Sequence, residues 1–439
     1  MTDCTEAQLT IPGFDRRPFE VNFQGGDVTS DAGGCLLLRQ AERSLCLLRR
    51  VTRHLPDPRN QDYIHHEALE LLRQRVFGIA LGYEDLNDHD TLRNDLGLKF
   101  SVGKHKDLAS STTLHRFEHW SNRSLAVKIH EEIVNTFIAS FKSPPTQLIL
   151  DFDATDDRVH GNQEGRFFHG YYGDYCFLPL YVFCGEQLLV SYLRPSKQDA
   201  AKHAWAILAL LVKRLRQVWP EVQIIFRGDS GFCRHKMLRW CERHGVDYMV
   251  GLAQNKRLNA LTEPLQTQAE KAFEATGEKQ RLFQALDYQA NSWHCSRKVI
   301  AKAEHTKKGR NPRYVVTSLP GEGQELYEAV YCARGDMENR IKEQQLYLFA
   351  DRTSCQKWWP NQFRLLLSSL AYVLMEYIRR VGLTGTELAR AQCQTIRLKL
   401  FKIGAIILYN TRRIRFLLSS GYPLQNLLFN TLARLGNTT

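Results

Sequence analysis

Three acidic positions, far apart in the chain, have the type and setting that divalent-cation chemistry needs. The first lies in QLILDFDATDD (residues 147–157), where Leu148, Ile149 and Leu150 make a short apolar run of the kind that forms a buried strand. That run ends in Asp151, Asp153, Asp156 and Asp157. A strand that stops in acids sets carboxylate oxygens at the rim of a sheet, within reach of a cation. Asp151 and Asp153, two apart, share a face, so the residues alone leave both open as the acid that matters. The second position, Asp229, ends VQIIFRGDSGF in a turn supplied by Gly228 and Gly231. The third, Glu338, sits in YCARGDMENRIKEQQLYLF, where Tyr331, Arg334, Glu338, Lys342 and Gln345 fall on one helical face. Read alone, Glu338 with Arg334 and Lys342 also makes an ordinary ion-pair ladder.

Elements that bring these acids together are legible around them. After the first acidic strand come CFLPLYVF and LLVSYLRP, then a helix starting near Ser196 and Asp199 and running to Val218. The strand of Val222–Phe226, a helix over 234–244 and a strand over 248–252 follow. Strand-strand-strand-helix-strand-helix-strand is the order of a ribonuclease-H-like core, in which the first and fourth strands are neighbours. That places Asp153 and Asp229 at one rim.

On either side of this α/β (α+β) core the character changes. Residues 1–143 read as a mainly helical region, irregular up to residue 60, with helices over 63–81, 110–120 and 125–141. The second of these, SSTTLHRFEHW, presents His115 and Arg116 after a polar turn, as a helix-turn-helix reader of DNA would, or as a plain bundle helix would. The core spans 144–350 and holds a β-rich insertion at about 256–325. Lys307, Lys308 and Arg310 form a basic turn in it, and Trp293 is a candidate for core or contact. Residues 351–439 carry thirteen Lys/Arg against three Asp/Glu. There TIRLKLFKIGAIILY and RRIRFLLSS alternate cations with aliphatics and predict a hairpin with one cationic face, suited to DNA contact or dimerisation.

Composition bounds the class. A chain of 439 residues, 43% hydrophobic and 24% charged, supports two or three folded domains, and a net charge of +12 favours a polyanionic partner. The eleven cysteines are scattered with no C-x-x-C, which predicts reduced thiols rather than a disulfide frame or zinc site. No signal-peptide pattern or bilayer-length apolar stretch occurs, so a cytoplasmic, nucleoid-associated bacterial protein is expected.

Taken together, Asp153-Ala154-Thr155, Asp229-Ser230-Gly231-Phe232 and Tyr331-x-x-Arg334-x-x-x-Glu338, flanking an insertion, resemble the D-x-T, D-x-G-[YF] and Y-R-E-K motifs of bacterial insertion-sequence DDE transposases, in wording nearest the insertion-sequence 1380 type. The pattern departs at its fourth letter, where Gln345 stands in place of lysine; Lys342, a turn earlier, is the substitute. The resemblance implies Mg²⁺-dependent cleavage at transposon ends and strand transfer into target DNA, with two Mg²⁺ ions (or Mn²⁺) held by Asp153, Asp229 and Glu338. It favours Asp153 over Asp151 and implies that Tyr331, Arg334 and Lys342 grip phosphates. Trp293 would stack on a displaced base if excision passes through a hairpin. A homodimer that synapses two terminal inverted repeats is expected. Competing readings are a catalytically inactive repressor of a related element, and a ribonuclease-H-fold nuclease that cuts without joining.

Overall fold

The computed structural model describes residues 9–22 and 29–436. The chain divides into two compact units. One holds the N-terminal residues up to Phe137, Val159–Glu164 and everything from Ile341 on; the other holds Ile138–Arg158 and Gly165–Arg340.

The second unit is built on one mixed sheet. In chain order its main strands are β1 (Gln147–Ala154), β2 (Leu180–Cys184), β3 (Gln187–Tyr192), β4 (Gln223–Gly228), β5 (Asp247–Leu252), β6 (Gln280–Tyr288), β7 (Arg297–Thr306) and β8 (Arg313–Thr317). Their spatial order is β6-β7-β8-β5-β4-β1-β2-β3. Strands β1, β4 and β5 run parallel, β2 pairs antiparallel with β1, and β3 pairs antiparallel with β2. The predicted ribonuclease-H-like order, with the first and fourth strands as neighbours, is therefore present. The helices Ala204–Val218 and His235–Arg243 make the connections around β4. The first begins eight residues after Ser196, because residues 197–203 form turns and His203 adopts a left-handed backbone.

Why β1 sits at the centre follows from its two faces. Leu148, Leu150 and Phe152 point one way and are fully buried, each worth on the order of 2 kcal/mol of apolar burial. Ile149, Asp151 and Asp153 share the other face. Ile149 packs there on a cluster of Ile225, Met249, Ile300, Val315, Leu319 and Tyr327, with Leu326, Val330 and Tyr331 against it. Ile300 and Val315 belong to the insertion. The insertion thus extends the same sheet beyond β5 and shares its core, and besides its strands it carries the helices Lys256–Leu261 and Glu263–Thr276.

In the first unit, three expectations need correction. The described part of residues 1–60 is not irregular throughout: Leu9–Phe14 and Arg17–Asn22 form a hairpin, and helices occupy Leu36–Leu45 and Leu47–Thr52. Pro12 lies on the edge strand of its sheet, where a missing N–H costs least. The hairpin near the C-terminus is confined to Ala405–Tyr409 and Ile414–Leu418, while Cys393–Phe401 is helical because Ile396, Leu400 and Phe401 bury one side of that turn. Ile414–Leu418 pairs in parallel with Arg17–Asn22, so the two ends of the chain share a sheet. Its cations are also not one free face. Arg413 and Arg415 reach Glu20, Arg364 reaches Glu118, Arg379 is buried on Glu343, and Arg397 donates to the Ala80 carbonyl.

Candidate active site

Register in the central sheet brings the first two acids together. Phe152 of β1 lies opposite Gly228 of β4, and the strands are parallel, so Asp153 and Asp229 are the next residues along neighbouring strands. Adjacent strands lie about 4.8 Å apart. Asp229 leaves the sheet as the cap of a short turn over Ser230–Phe232, its Oδ1 accepting from the Gly231 N–H at 2.8 Å. Phe232 is buried against Phe152, which fixes the turn on the strand bearing Asp153.

Glu338 arrives on the helix Gly335–Lys342. The run before it is not a regular helix, because wide and tight turns over Leu326–Tyr331 and Cys332–Arg334 precede it. They let Tyr327, Val330 and Tyr331 settle on the Ile149 face of the sheet. Arg334 then spans the acids. One guanidinium nitrogen donates to Asp153 Oδ2 at 3.2 Å and another to Glu338 Oε1 at 2.9 Å. Asp153 and Arg334 are mostly buried, whereas Glu338 is half exposed.

Charge is unbalanced here. Three carboxylates face one arginine, leaving about two negative charges in excess. Burial pushes the Asp153 carboxyl up to about 6; Arg334 pulls it down, while Asp229 and Glu338 push it further up. Arg334 in turn is held protonated by Asp153, Tyr331, Glu338 and Asp229 against the opposing effect of burial. An all-oxygen donor set with surplus negative charge at a sheet rim is what a hard divalent cation requires. The chemistry of the residues therefore fits such an ion.

Asp151, the rival first acid, is occupied. Arg227, its register partner on β4, grips it with two donors, one at 2.7 Å, and also donates to the Val330 carbonyl. Sequence reading missed this pair, although Asp151 and Arg227 each stand two residues before a candidate acid, which is the available signal. It also missed Gly251. A Cβ there would fall 2.6 Å from the Tyr331 hydroxyl and 2.8 Å from the Ser230 nitrogen, so the bare backbone of β5 makes room for both.

The other candidates are dispersed. Lys342 is exposed at the end of the Glu338 helix, and Gln345 follows it. Lys307 and Lys308 are exposed at their turn, but Arg310 is engaged by Glu263 and Glu270. Trp293 is a correction: it is only 6% exposed, edge-on to Tyr288 with Arg297 over its ring, so it packs as core and offers no face to a base. His115 and Arg116 are exposed on the helix Ser111–Glu118, which Ser110 caps and which buries Leu114, Phe117 and Glu118. Among the described residues, the ligating atoms of Glu242, His294 and Cys295 lie within 4.8 Å of one another, but Glu242 is already held by Arg297 and Tyr248. The ten described cysteines are free thiols, and no helix among the described residues is long and apolar enough to cross a membrane.

A ribonuclease-H-type sheet with two rim acids and a third delivered by a following helix defines the class of enzyme to which this chain is to be compared. The family model described as transposase DDE domain group 1 matches residues 12–439, and the chain belongs to that family. It is a DDE transposase, and enzymes of this family use divalent metal ions. No curated protein matches the chain. A solved structure described as the cryo-EM structure of the piggyBac transposase synaptic complex with hairpin DNA is similar at a TM-score of 0.42 and 12% identity, covering 83% of this chain and 78% of that one.

Proposed function

We propose that this transposase, of the insertion-sequence 1380 type, cuts double-stranded DNA at the ends of its element and joins the freed 3′ ends to target DNA. Asp153, Asp229 and Glu338 would hold two Mg²⁺ ions, with Mn²⁺ able to substitute. When bound, such ions polarise the scissile phosphodiester and make the attacking oxygen a better nucleophile. The observation that carries the reading is the Arg334 bridge between Asp153 and Glu338, which joins a strand-end acid to a helix acid 185 positions away.

Each residue has a distinct task. Asp153, buried and crowded, is a carboxylate whose ionisation an added positive charge favours. Asp229 is preorganised by the Gly231 N–H, so that its carboxylate needs no rearrangement to serve. Arg334 keeps Asp153 and Glu338 in register and has guanidinium donors left for a phosphate oxygen. Tyr331, its hydroxyl packed over Gly251, would grip phosphate together with that arginine. Lys342, Lys307, Lys308 and Arg116 offer exposed charge for the DNA backbone, and His115 beside Arg116 offers an exposed hydrogen-bonding group. Residues 1–143 would read the terminal repeats, 144–350 would cut, and 351–439 would contribute to a homodimer synapsing two ends in the bacterial cytoplasm.

The test is a labelled duplex carrying an element end, incubated with Mg²⁺ and a target plasmid. Cleaved and joined products from the wild type, lost in Asp153→Asn, Asp229→Asn and Glu338→Gln with end binding retained, support the reading. Binding without metal-dependent cutting would favour a repressor, and cutting without joining a nuclease.

A further inference from the structure

A second site lies in the other unit, around the first two helices. Arg39 and Arg43 stand four apart on Leu36–Leu45, Arg49 lies on Leu47–Thr52 and Arg73 on Ala68–Leu81. All four line one cleft of about 440 Å³, within the range of nucleotide-sized ligand sites.

What makes the cleft unusual is its sparse counter-charge, one carboxylate against four arginines. Its one acid, Glu42, is buried and spent on backbone: its two oxygens accept from the N–H groups of Leu48 and Arg49 at 2.9 and 3.0 Å, capping the second helix. Among the described residues, none of the four arginines has a carboxylate within salt-bridge distance. Three of them donate to main-chain carbonyls instead: Arg39 to Ser101 and Gly13, Arg43 to Pro12, Arg73 to Val102. These carbonyls orient the guanidinium groups without neutralising them. Arg39 is only 8% exposed, and the Nε atoms of Arg39 and Arg73 are buried without a partner. Burial, then Arg73 and Arg43, push the Arg39 guanidinium down to about 9. Four clustered guanidinium groups with one carboxylate among them are costly to hold together unless an anion completes them. Their planar forks match phosphate oxygens two at a time.

We infer that this arginine-lined cleft binds a phosphate group, either of a nucleic-acid strand or of a free nucleotide. The site is independent of the acids at the sheet rim and of the chemistry proposed for them.

The experiment uses the full-length chain, with inorganic phosphate and dAMP titrated calorimetrically against chloride at matched ionic strength. Both probes are expected to bind, and the Arg43→Gln/Arg49→Gln pair to weaken them at least tenfold. Should that pair fail to fold, Arg49→Gln alone serves, because Arg49 is exposed. Its expected loss is about fivefold. Asp153→Asn is expected to leave phosphate binding unchanged. Competition by a duplex lacking any element end, with a shallower salt slope in the double variant, identifies a strand phosphate as the ligand. Competition by dAMP without competition by duplex identifies a free nucleotide. Absence of binding to the wild type, equal affinity in wild type and arginine variants, or loss of binding in Asp153→Asn would each overturn the inference.

Discussion

Replacing Asp153 by asparagine should make the protein more stable at neutral pH while removing its chemistry. The magnitude follows from the carboxyl's environment. Its pKa rises from 3.8 to about 6 on folding, chiefly through burial. Between those values the folded chain binds the proton more tightly than the unfolded one, so stability falls as pH rises through that window. Integrated over about two pH units at 1.36 kcal/mol each, the cost of the ionised Asp153 at pH 8 is about 3 kcal/mol. Asparagine keeps the size and an oxygen acceptor for Arg334 but cannot ionise, so it avoids this cost. Urea unfolding of both proteins at pH 3.5 and pH 8, without divalent metal, measures it. At pH 3.5 the two should differ little. At pH 8 the variant should be the more stable, by up to about 3 kcal/mol. A variant less stable than the wild type at pH 8, or a difference that does not change with pH, would refute the reasoning that like charge and burial strain this carboxylate.

Other perturbations test the parts around it. Arg334→Gln removes the one cation that lowers Asp153, so the acidic limb of the cleavage–pH profile should move up by roughly one to three pH units, and an unmoved limb would show that Asp153 does not set it. Asp151→Asn leaves Arg227 buried with only half its partner. Chemical denaturation should register a loss of roughly 3–5 kcal/mol, whereas an intact melting transition with lost cleavage would return Asp151 to the active site. Gly251→Ala drives a methyl into the Tyr331 hydroxyl and the Ser230 peptide. It should cost about 1–3 kcal/mol in thermal unfolding and slow cleavage by displacing Asp229.

Much of this arrangement was legible in the residues before any coordinates. The apolar run ending in Asp153, the Gly-flanked Asp229 and the strand-helix alternation gave the sheet order, because burial period and turn chemistry are local signals. The roles of Asp151 and Arg227 were not legible, since the pairing depends on cross-strand register between positions 76 apart. Trp293 stood between core and contact for a related reason: which of the two an indole becomes is decided by neighbours such as Tyr288 and Arg297, not by its own type. The N-terminal strands were missed because Pro12 and Pro18 read as breakers, while the strand that anchors Arg17–Asn22 in its sheet, Ile414–Leu418, lies almost four hundred residues away. The C-terminal cations looked free because their acids, Glu20, Glu118 and Glu343, come from distant parts of the chain.

The most direct measurement is the number of Mn²⁺ ions bound per chain, read by electron paramagnetic resonance in the wild type and in Asp153→Asn, Asp229→Asn and Glu338→Gln. The account predicts two in the wild type and at least one fewer in each variant. Two ions retained in all three variants, or none in the wild type with DNA present, would contradict it.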